Sequence, residues 1–149
     1  MLPNTLGSEQ LAILAAIAPS NQAPGTVTTG WISVALFHAL LATIQTGTMG
    51  TNATLNAKLQ QATDASGAGA KDVTDKAITP IAQAEEGSGH EALIDVRAED
   101  LDIPNGYGYV RLSLTTAVAA SFVAAQILGI SPRKLPAHEF NQPTVSEIR

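Results

Sequence analysis

Hydrophobic and polar residues alternate with a period of two in three separate stretches of the chain. Successive side chains of a β-strand point to opposite faces of a sheet, so this alternation predicts strands with one buried and one solvated face. No sustained heptad or helical charge-pair pattern competes with it. The three alternating stretches are Thr54–Gln61, Leu93–Ala98 and Tyr107–Thr116.

Other stretches are β-like in composition but less regular. Ala117–Leu128 is apolar at nearly every position, which predicts a strand that is covered on both faces. Two interpretations of the N-terminal region stay open. Ser8 could cap a short alanine-rich helix through Ala18, or Leu11–Ile17 could form another strand. The remaining predicted strands lie in Thr26–Val34, Leu40–Thr46 and Lys71–Ala84.

Clusters of glycine, asparagine, serine and proline separate the predicted strands at intervals of about ten residues. Seven or eight short strands with such turns are typical of an all-β protein, here a single β-sandwich of the jelly-roll or immunoglobulin-like type. We assign the sandwich to residues 25–130. An N-terminal segment (residues 1–24, an arm, an added strand or a short helix) precedes it, and an extended arm (residues 131–149) follows it.

The C-terminal arm is predicted from its prolines and its length. Pro132, Pro136 and Pro143 argue against a helix and favour an extended chain. Fully extended, a segment of this length reaches about 60 Å, well beyond the roughly 15 Å radius of gyration of such a domain. Apolar residues along the arm predict contacts with a neighbouring copy, because pure linkers rarely carry them. These candidate inter-subunit contacts are Leu135, Phe140, Val145 and Ile148.

Composition narrows the range of partners. Only 14% of the residues are charged, against about 25% in an ordinary soluble domain. Such a surface suits contact with other protein, although a neutral surface rich in Thr, Ser and Asn is soluble as well. With a net charge of −5 and eight dispersed Lys and Arg residues, the chain lacks the basic footprint of a nucleic-acid-binding protein. We expect no direct nucleic-acid partner, and the apolar runs are too short to predict a membrane span.

The chain contains no cysteine, which removes disulfides, thiolate chemistry and cysteine–metal sites. The N-terminal residues Met1–Asn4 lack the basic region of a secretory signal. Both features suit a protein that assembles in the cytoplasm.

No catalytic or metal-binding template is complete in the sequence. The G-x-S-x-G string of an activated serine is absent, and His38, His90 and His138 are isolated from one another. None of these histidines has a metal-ligand spacing. Aromatic residues make up only 4% of the chain, too few to wall the sugar cleft of a glycoside hydrolase. We therefore predict no enzyme, no metal site and no cofactor.

Two weak local signals have simpler interpretations. Ser66–Asp72 superficially resembles a phosphate loop, but Asp72 follows Lys71 where such a loop needs Ser or Thr. A flexible hairpin tip is the preferred interpretation. An acidic cluster could bind calcium only if carbonyl ligands joined it, so a solvated strand end is preferred. The cluster comprises Glu99, Asp100 and Asp102, with Asp95 nearby.

A carbohydrate-binding module is the alternative of another class, because such modules are also β-sandwiches. Trp31, Tyr107 and Tyr109 could form a platform for sugar rings. However, Trp31 is predicted to lie in the middle of an apolar strand, and the two tyrosines flank a turn that leads into a core strand. Packing in the core or at an interface therefore explains all three residues without a ligand.

Several segments resemble small structural proteins encoded by tailed bacteriophages and prophages. The similar segments together span roughly residues 25–129, which is the whole predicted sandwich. They are Thr29–Val34 with Phe37, Lys58–Asp72, Ile94–Asp102 and Gly106–Leu112.

This resemblance implies a virion component assembled in the host cytoplasm. A capsid decoration (cement) protein is the first expectation, and a head–tail connector or a tail component is the alternative. The implied partners are further copies of the chain, as a homotrimer, and the major capsid protein. Members of this family usually lack catalytic residues, so the resemblance assigns none here.

Overall fold

The computed structural model describes residues 3–149. Met1 and Leu2, on which part of the expectation about a secretory signal depends, lie outside the described residues. A four-residue helix, α1 (Gly7–Gln10), leads directly into the first strand. The strands are β1 (Leu11–Gln22), β2 (Gly25–Thr28), β3 (Ile32–Ser33), β4 (Phe37–Met49), β5 (Thr54–Ala62), β6 (Lys71–Ala77), β7 (Ile81–Ala82), β8 (Glu91–Val96), β9 (Tyr109–Ala117) and β10 (Ser121–Pro132).

The strands form two antiparallel sheets packed face to face. Sheet A has the order β1-β10-β4-β8, and sheet B has the order β2-β9-β5-β6, with β3 beside β9 and β7 beside β5. Four pairs are nested along the chain: β1 with β10, β2 with β9, β4 with β8 and β5 with β6. Nested pairing of eight main strands is a long hairpin wound into two sheets, which is a jelly roll. The all-β sandwich is confirmed, in the first of the two types predicted.

The core lies between the two sheets and is made by alternate residues of each strand. Sheet A contributes Leu40, Ile44 and Ile127, and sheet B contributes Leu55 and Leu112, all at most 2% exposed. The residues between them point outward, as the period of two requires. Truncating one of these leucines to alanine costs about 2–5 kcal/mol in buried cores, so the paired sheets hold the outer faces in place.

The three alternating stretches are strands β5, β8 and β9, as predicted. Thr26–Val34 is divided between β2 and β3, and Trp31 lies in the break between them. Ala117–Leu128 was predicted as one strand covered on both faces, and this is wrong. Val118 adopts a positive φ of 72° in a turn that separates β9 from β10. One face of β10 is open to solvent, because Phe122 is 51% exposed.

The N-terminal region is a strand rather than a helix through Ala18. Strand β1 pairs with β10 from Leu11↔Ile130 to Gln22↔Ser121. Two irregularities interrupt this register, between Ile13 and Ala15 and between Ile17 and Ser20. The pairing makes residues 11–22 an edge strand of sheet A, so the predicted boundary at residue 24 does not separate them from the sandwich.

The C-terminal segment (residues 133–149) folds back onto its own domain over part of its length. Ala137 is fully buried in the short 3₁₀ turn Ala137–Phe140. The side chain of Asn141 accepts a hydrogen bond from the Ile13 N–H, and the Gln142 N–H donates to the Ile13 carbonyl, both at 2.8 Å. These bonds cover part of the free edge of β1, the kind of edge that otherwise pairs with other chains.

Candidate functional site

The three histidines lie on different elements of the fold. His38 and His90 are exposed, and His138 lies in the partly buried 3₁₀ turn of the C-terminal segment. Within residues 3–149, no group of three or more His, Asp and Glu side chains is placed to hold a metal ion. No helix of the same residues is long and apolar enough to cross a membrane.

The acidic cluster is engaged in local ion pairs. Asp102 Oδ2 accepts a hydrogen bond from Lys71 Nζ at 2.5 Å, and Asp100 Oδ2 lies 3.4 Å from Lys76 Nζ. The Lys71 ammonium is the main reason that the pKa of Asp102 falls below its usual value. For Asp100 the main cause of the lowered pKa is the hydrogen bond from the Arg97 N–H. These pairs agree with the interpretation of the cluster as a solvated strand end.

The loop that resembles a phosphate cradle closes on its own aspartate. The Asp64 carboxylate accepts hydrogen bonds from the N–H groups of Ser66 and Ala68 and from the Ser66 hydroxyl. The Ser66 hydroxyl is the main cause of the lowered pKa of Asp64. Amides bound to an internal carboxylate are not directed at a phosphate, so the hairpin-tip interpretation is supported.

The outer face of sheet A is unusual in charge. Strands β1, β10 and β4 lie side by side and contain no Asp, Glu, Lys or Arg. Charged side chains enter this face only on the short strand β8, as Glu91 and Asp95. We call this surface the uncharged face. Its outward residues include Ile13, Ala16, Leu41, Thr43, Leu93, Phe122, Ala124, Gln126 and Leu128.

The uncharged face has protruding apolar side chains and a shallow groove. Leu93 is 63% exposed and Phe122 is 51% exposed. A groove of about 680 Å³ beside Leu93 is lined by small residues that include Ala16, Thr43 and Ala124, with Glu91 of β8 also in its lining. Small residues at cross-strand positions leave the groove open, while Leu93 stands at its border. An apolar surface of this kind commonly marks contact with another protein.

The outer face of sheet B is polar and its side chains are linked to one another. The hydroxyls of Thr26 and Thr115 lie 2.9 Å apart. Farther along, Gln60 stands between Arg111 of β9 and Asp72 of β6 in the strand register. The Arg111 Nε–H donates to Gln60 Oε1 at 2.9 Å, and Gln60 Nε2 donates to Asp72 Oδ1 at 3.1 Å. We call this surface the polar face.

Of the three candidate platform residues, Trp31 and Tyr107 lie outside the strands, and the partly buried Tyr109 is the first residue of β9. Trp31 is partly exposed on the polar face, with the Arg111 guanidinium carbon 4.5 Å from its ring centroid. Tyr107 donates its hydroxyl hydrogen to the Gly69 carbonyl, and the Lys71 ammonium lies 4.3 Å from the Tyr107 ring centroid. The prediction that Trp31 lies in the middle of a strand is therefore wrong, since β2 ends at Thr28 and β3 begins at Ile32.

The four residues of the C-terminal segment that were predicted to contact another copy differ in their placement. The Phe140 ring makes an edge-to-face contact with Phe37 of its own chain, with centroids 5.7 Å apart. The Phe140 ring therefore packs against the sandwich core of its own chain and is only partly exposed. Leu135 and Ile148 are 51% and 47% exposed, and Val145 is partly buried. For all four residues the inter-subunit contact stays a prediction.

No protein-family model matches the chain, and no curated protein matches it significantly. Among solved structures, a chain of broad bean stain virus is 11% identical, with 91% of this chain and 93% of that chain covered and a TM-score of 0.46. A chain of Desmodium yellow mottle tymovirus is 14% identical, with coverages of 90% and 95% and a TM-score of 0.41. A carbohydrate-binding module specific for non-crystalline cellulose is 9% identical, with coverages of 73% and 66% and a TM-score of 0.44. All three TM-scores are below 0.5, so these similarities do not indicate what this chain binds or assembles with.

Sequence reasoning missed the uncharged face as a unit. The signal was present, because the stretches that became β1, β4 and β10 each lack charged residues over twelve or thirteen positions. What the sequence does not show is that these three strands are neighbours, since β1 and β10 come from opposite ends of the chain.

Proposed function

We propose that this protein is a structural virion component of a tailed bacteriophage, a capsid decoration protein that attaches to the shell through its uncharged face. The jelly-roll fold occurs both in viral shell proteins and in sugar-binding lectins. The fold alone therefore does not select a function. The uncharged face is the observation that carries the proposal.

Covering the uncharged face with another protein has a low desolvation cost. Burying an unpaired charge is expensive, whereas burying apolar side chains is favourable by about 25 cal/mol per Å². Strands β1, β10 and β4 present no Asp, Glu, Lys or Arg that would need a partner. A surface that stays in water has no need to be free of charge, so this distribution supports a permanent contact.

The dimensions of the uncharged face suit a specific interface. The three long strands β1, β10 and β4 are each roughly 40 Å long and the six-residue β8 is roughly 20 Å long, with about 4.8 Å between neighbouring strands. The resulting area of roughly 670 Å² approaches the ~800 Å² per partner of a standard protein interface. A single copy therefore has enough surface for one stable contact with a shell subunit.

Carbohydrate binding, the alternative of another class, receives less support. A sugar platform needs the face of an aromatic ring to be open. Cations lie over two of the three candidate rings, Arg111 over Trp31 and Lys71 over Tyr107. The occupied ring faces favour packing over sugar recognition.

The test is attachment of the purified protein to empty shells assembled from the major capsid protein of the same phage. We expect saturable co-sedimentation in a fixed ratio to shell sites. Phe122→Lys places a charge on strand β10 of the uncharged face at an exposed position, so the fold should survive. Because that charge must be desolvated on attachment, we expect affinity to fall by at least about tenfold.

The matched control is Asn56→Lys, which adds the same charge at an exposed strand position of the polar face. It should bind the shells like the unmodified protein. Equal loss in both variants would contradict attachment through the uncharged face. A protein that stays monomeric and co-sediments with neither shells, connectors nor tails would overturn the virion role, and attachment to connectors or tails alone would replace the decoration role.

A further inference from the structure

We propose that Trp31 and Arg111 form a binding site on the polar face for a carboxylate side chain of another protein. The site lies on sheet B and does not depend on the virion role or on the uncharged face. Two features define it: the contacts that hold the Arg111 side chain, and the Nη groups of Arg111 that remain without a hydrogen-bond partner within residues 3–149.

Arg111 is fixed from two sides. Its guanidinium group stacks over the Trp31 ring at 4.5 Å, and its Nε–H donates to Gln60 Oε1 at 2.9 Å. A stacked guanidinium group with one oriented hydrogen bond has already lost much of its side-chain conformational entropy. Binding a ligand therefore costs little further entropy at this residue.

The supports of Arg111 are themselves fixed. Gln60 donates to the Asp72 carboxylate, which pairs with the Lys58 ammonium at 2.9 Å. On the other side, Gly67 adopts a positive φ of 89°, and a Cβ there would lie 2.5 Å from Trp31 Nε1. Glycine thus lets the hairpin loop approach the indole edge closely. The linked side chains of Lys58, Asp72 and Gln60 on one side, and Trp31 against Gly67 on the other, together hold the Arg111 guanidinium group in a fixed position.

Arg111 is one of three cations that have no acidic partner among residues 3–149. Lys58, Lys71, Lys76, Arg97 and Arg149 each have a carboxylate within 4.0 Å among residues 3–149, whereas Arg111, Arg133 and Lys134 have none there. Arg133 and Lys134 are exposed on the C-terminal segment. Arg111 alone of these three is a partly buried strand residue stacked on an aromatic ring. Its Nη groups form a planar fork that matches the two oxygens of a carboxylate.

The surroundings favour a protein carboxylate over an acidic sugar. The Arg111 side chain lies over the Trp31 ring and occupies the face that a sugar would stack on. Beside it, the exposed Thr28 and the partly exposed Thr115 continue the polar face. Tryptophan and arginine are the residues most enriched at the energetic centres of protein–protein contacts.

The chain has a single tryptophan, so its indole N–H signal in a proton–nitrogen NMR spectrum reports on this site alone. The probe is a blocked pentapeptide of sequence Gly-Glu-Gly-Glu-Gly, and the control peptide carries Gln at both Glu positions. We expect a saturable shift of the Trp31 signal with the Glu peptide and an apparent affinity at least about tenfold lower with the Gln peptide. The response should weaken as salt is raised from about 50 to 300 mM.

Variants separate the site from general attraction to positive charge. Arg111→Gln should remove the response and Arg111→Lys, which keeps the charge but not the fork, should weaken it severalfold. Arg133→Gln, which removes an exposed unpaired arginine elsewhere, should leave the response unchanged. Retention of a folded spectrum in each variant is the check on structure.

Three results would overturn the proposal. Equal shifts with both peptides would show that the carboxylate is not recognised. Equal losses in Arg111→Gln and Arg133→Gln would indicate unspecific electrostatics. A response to a glucuronate-containing tetrasaccharide without a response to the Glu peptide would assign the site to an acidic sugar instead.

Discussion

The uncharged face of sheet A and the polar face of sheet B belong to one sandwich, yet their side chains are satisfied in different ways. On the polar face, charged and amide groups bind one another in a continuous row from Lys58 through Asp72 and Gln60 to Arg111. On the uncharged face, β1, β4 and β10 offer mainly aliphatic side chains, with Leu93 and Phe122 standing in solvent.

This difference shows what each face requires of a partner. The uncharged face needs only a complementary apolar surface, because it holds almost no charge to be desolvated. The polar face has already paired most of its charges internally, so a partner gains there only by meeting the unpaired Arg111. One side of the protein is thus suited to broad attachment and the other to recognition of a particular group.

The largest expected effect comes from removing the cover of the β1 edge. Deletion of residues 137–149 exposes Phe37 and frees the backbone of Ile13. We expect the free energy of unfolding in urea to fall by about 3–5 kcal/mol, the range for losing a buried aromatic contact. Deletion of residues 144–149 alone should change it by less than about 0.5 kcal/mol. If the two deletion variants were equally stable, residues 137–143 would make no contribution to the folded domain, and the C-terminal segment would be a free arm.

Two phenylalanines sharpen the distinction between core and outer face. Phe140→Ala removes the edge-to-face contact with Phe37 and should cost about 2 kcal/mol of unfolding free energy, less than a fully buried ring because Phe140 is partly exposed. Phe122→Ala removes a ring that stands in solvent on the uncharged face. It should cost less than about 0.5 kcal/mol and yet weaken attachment to shells. A larger stability loss in Phe122→Ala would mean that the uncharged face supports its own domain.

On the polar face, a glycine offers a smaller perturbation. Gly67→Ala places a Cβ against the Trp31 indole at a positive φ, and should cost about 1–2 kcal/mol of unfolding free energy. The displaced Trp31 should also change its fluorescence emission. Gly30→Ala, next to Trp31 in sequence but with open space around its Cβ position, is the control and should be nearly neutral. Similar thermal melts for the two variants would contradict the close approach of the loop.

The smallest expected effect is a dependence of stability on acid. The Lys58 ammonium, followed by the Gln60 amide, holds the pKa of Asp72 below its usual value. Since the folded pKa is the lower one, this stabilisation is present above the unfolded value of about 3.9 and is lost as pH falls through the folded pKa. Asp72→Asn should therefore flatten the acid limb of the stability profile below about pH 4. Lys58→Gln, which removes the main cause of the lowered pKa of Asp72, should flatten the same limb.

Alternation in the sequence predicted β5, β8 and β9 because each of these strands has one dry and one wet face. The same reasoning failed for β10, and the uncharged face explains why. Phe122 and Leu128 point outward, but as apolar residues they have the composition of a strand that is buried on both sides. A surface built to be covered thus resembles a core in the sequence.

Long-range contacts limited the prediction of the site. The prolines of the C-terminal segment correctly excluded a long helix, but they do not show that Phe140 reaches Phe37 across the fold. Likewise, nothing in the local sequence places Trp31 beside Arg111. Their proximity follows from the pairing of Ile32 with Val110, which only the assembled sheet provides.

The contacts of Asn141 and Gln142 that cover the β1 edge also have a consequence for folding during synthesis, because this edge can be covered only after residues 141 and 142 have been made. Ile13 leaves the ribosome early, whereas the Asn141 side chain that caps its N–H lies 128 residues later. At roughly 5–20 residues per second, that interval lasts about 6–25 s. For most of this interval the uncharged strand β1 lacks its partner β10, and for all of it the Ile13 N–H lacks its cap. The nascent chain therefore has an unpaired strand edge until residues 137–142 have been synthesised, and its yield in the cell depends on how quickly these residues follow.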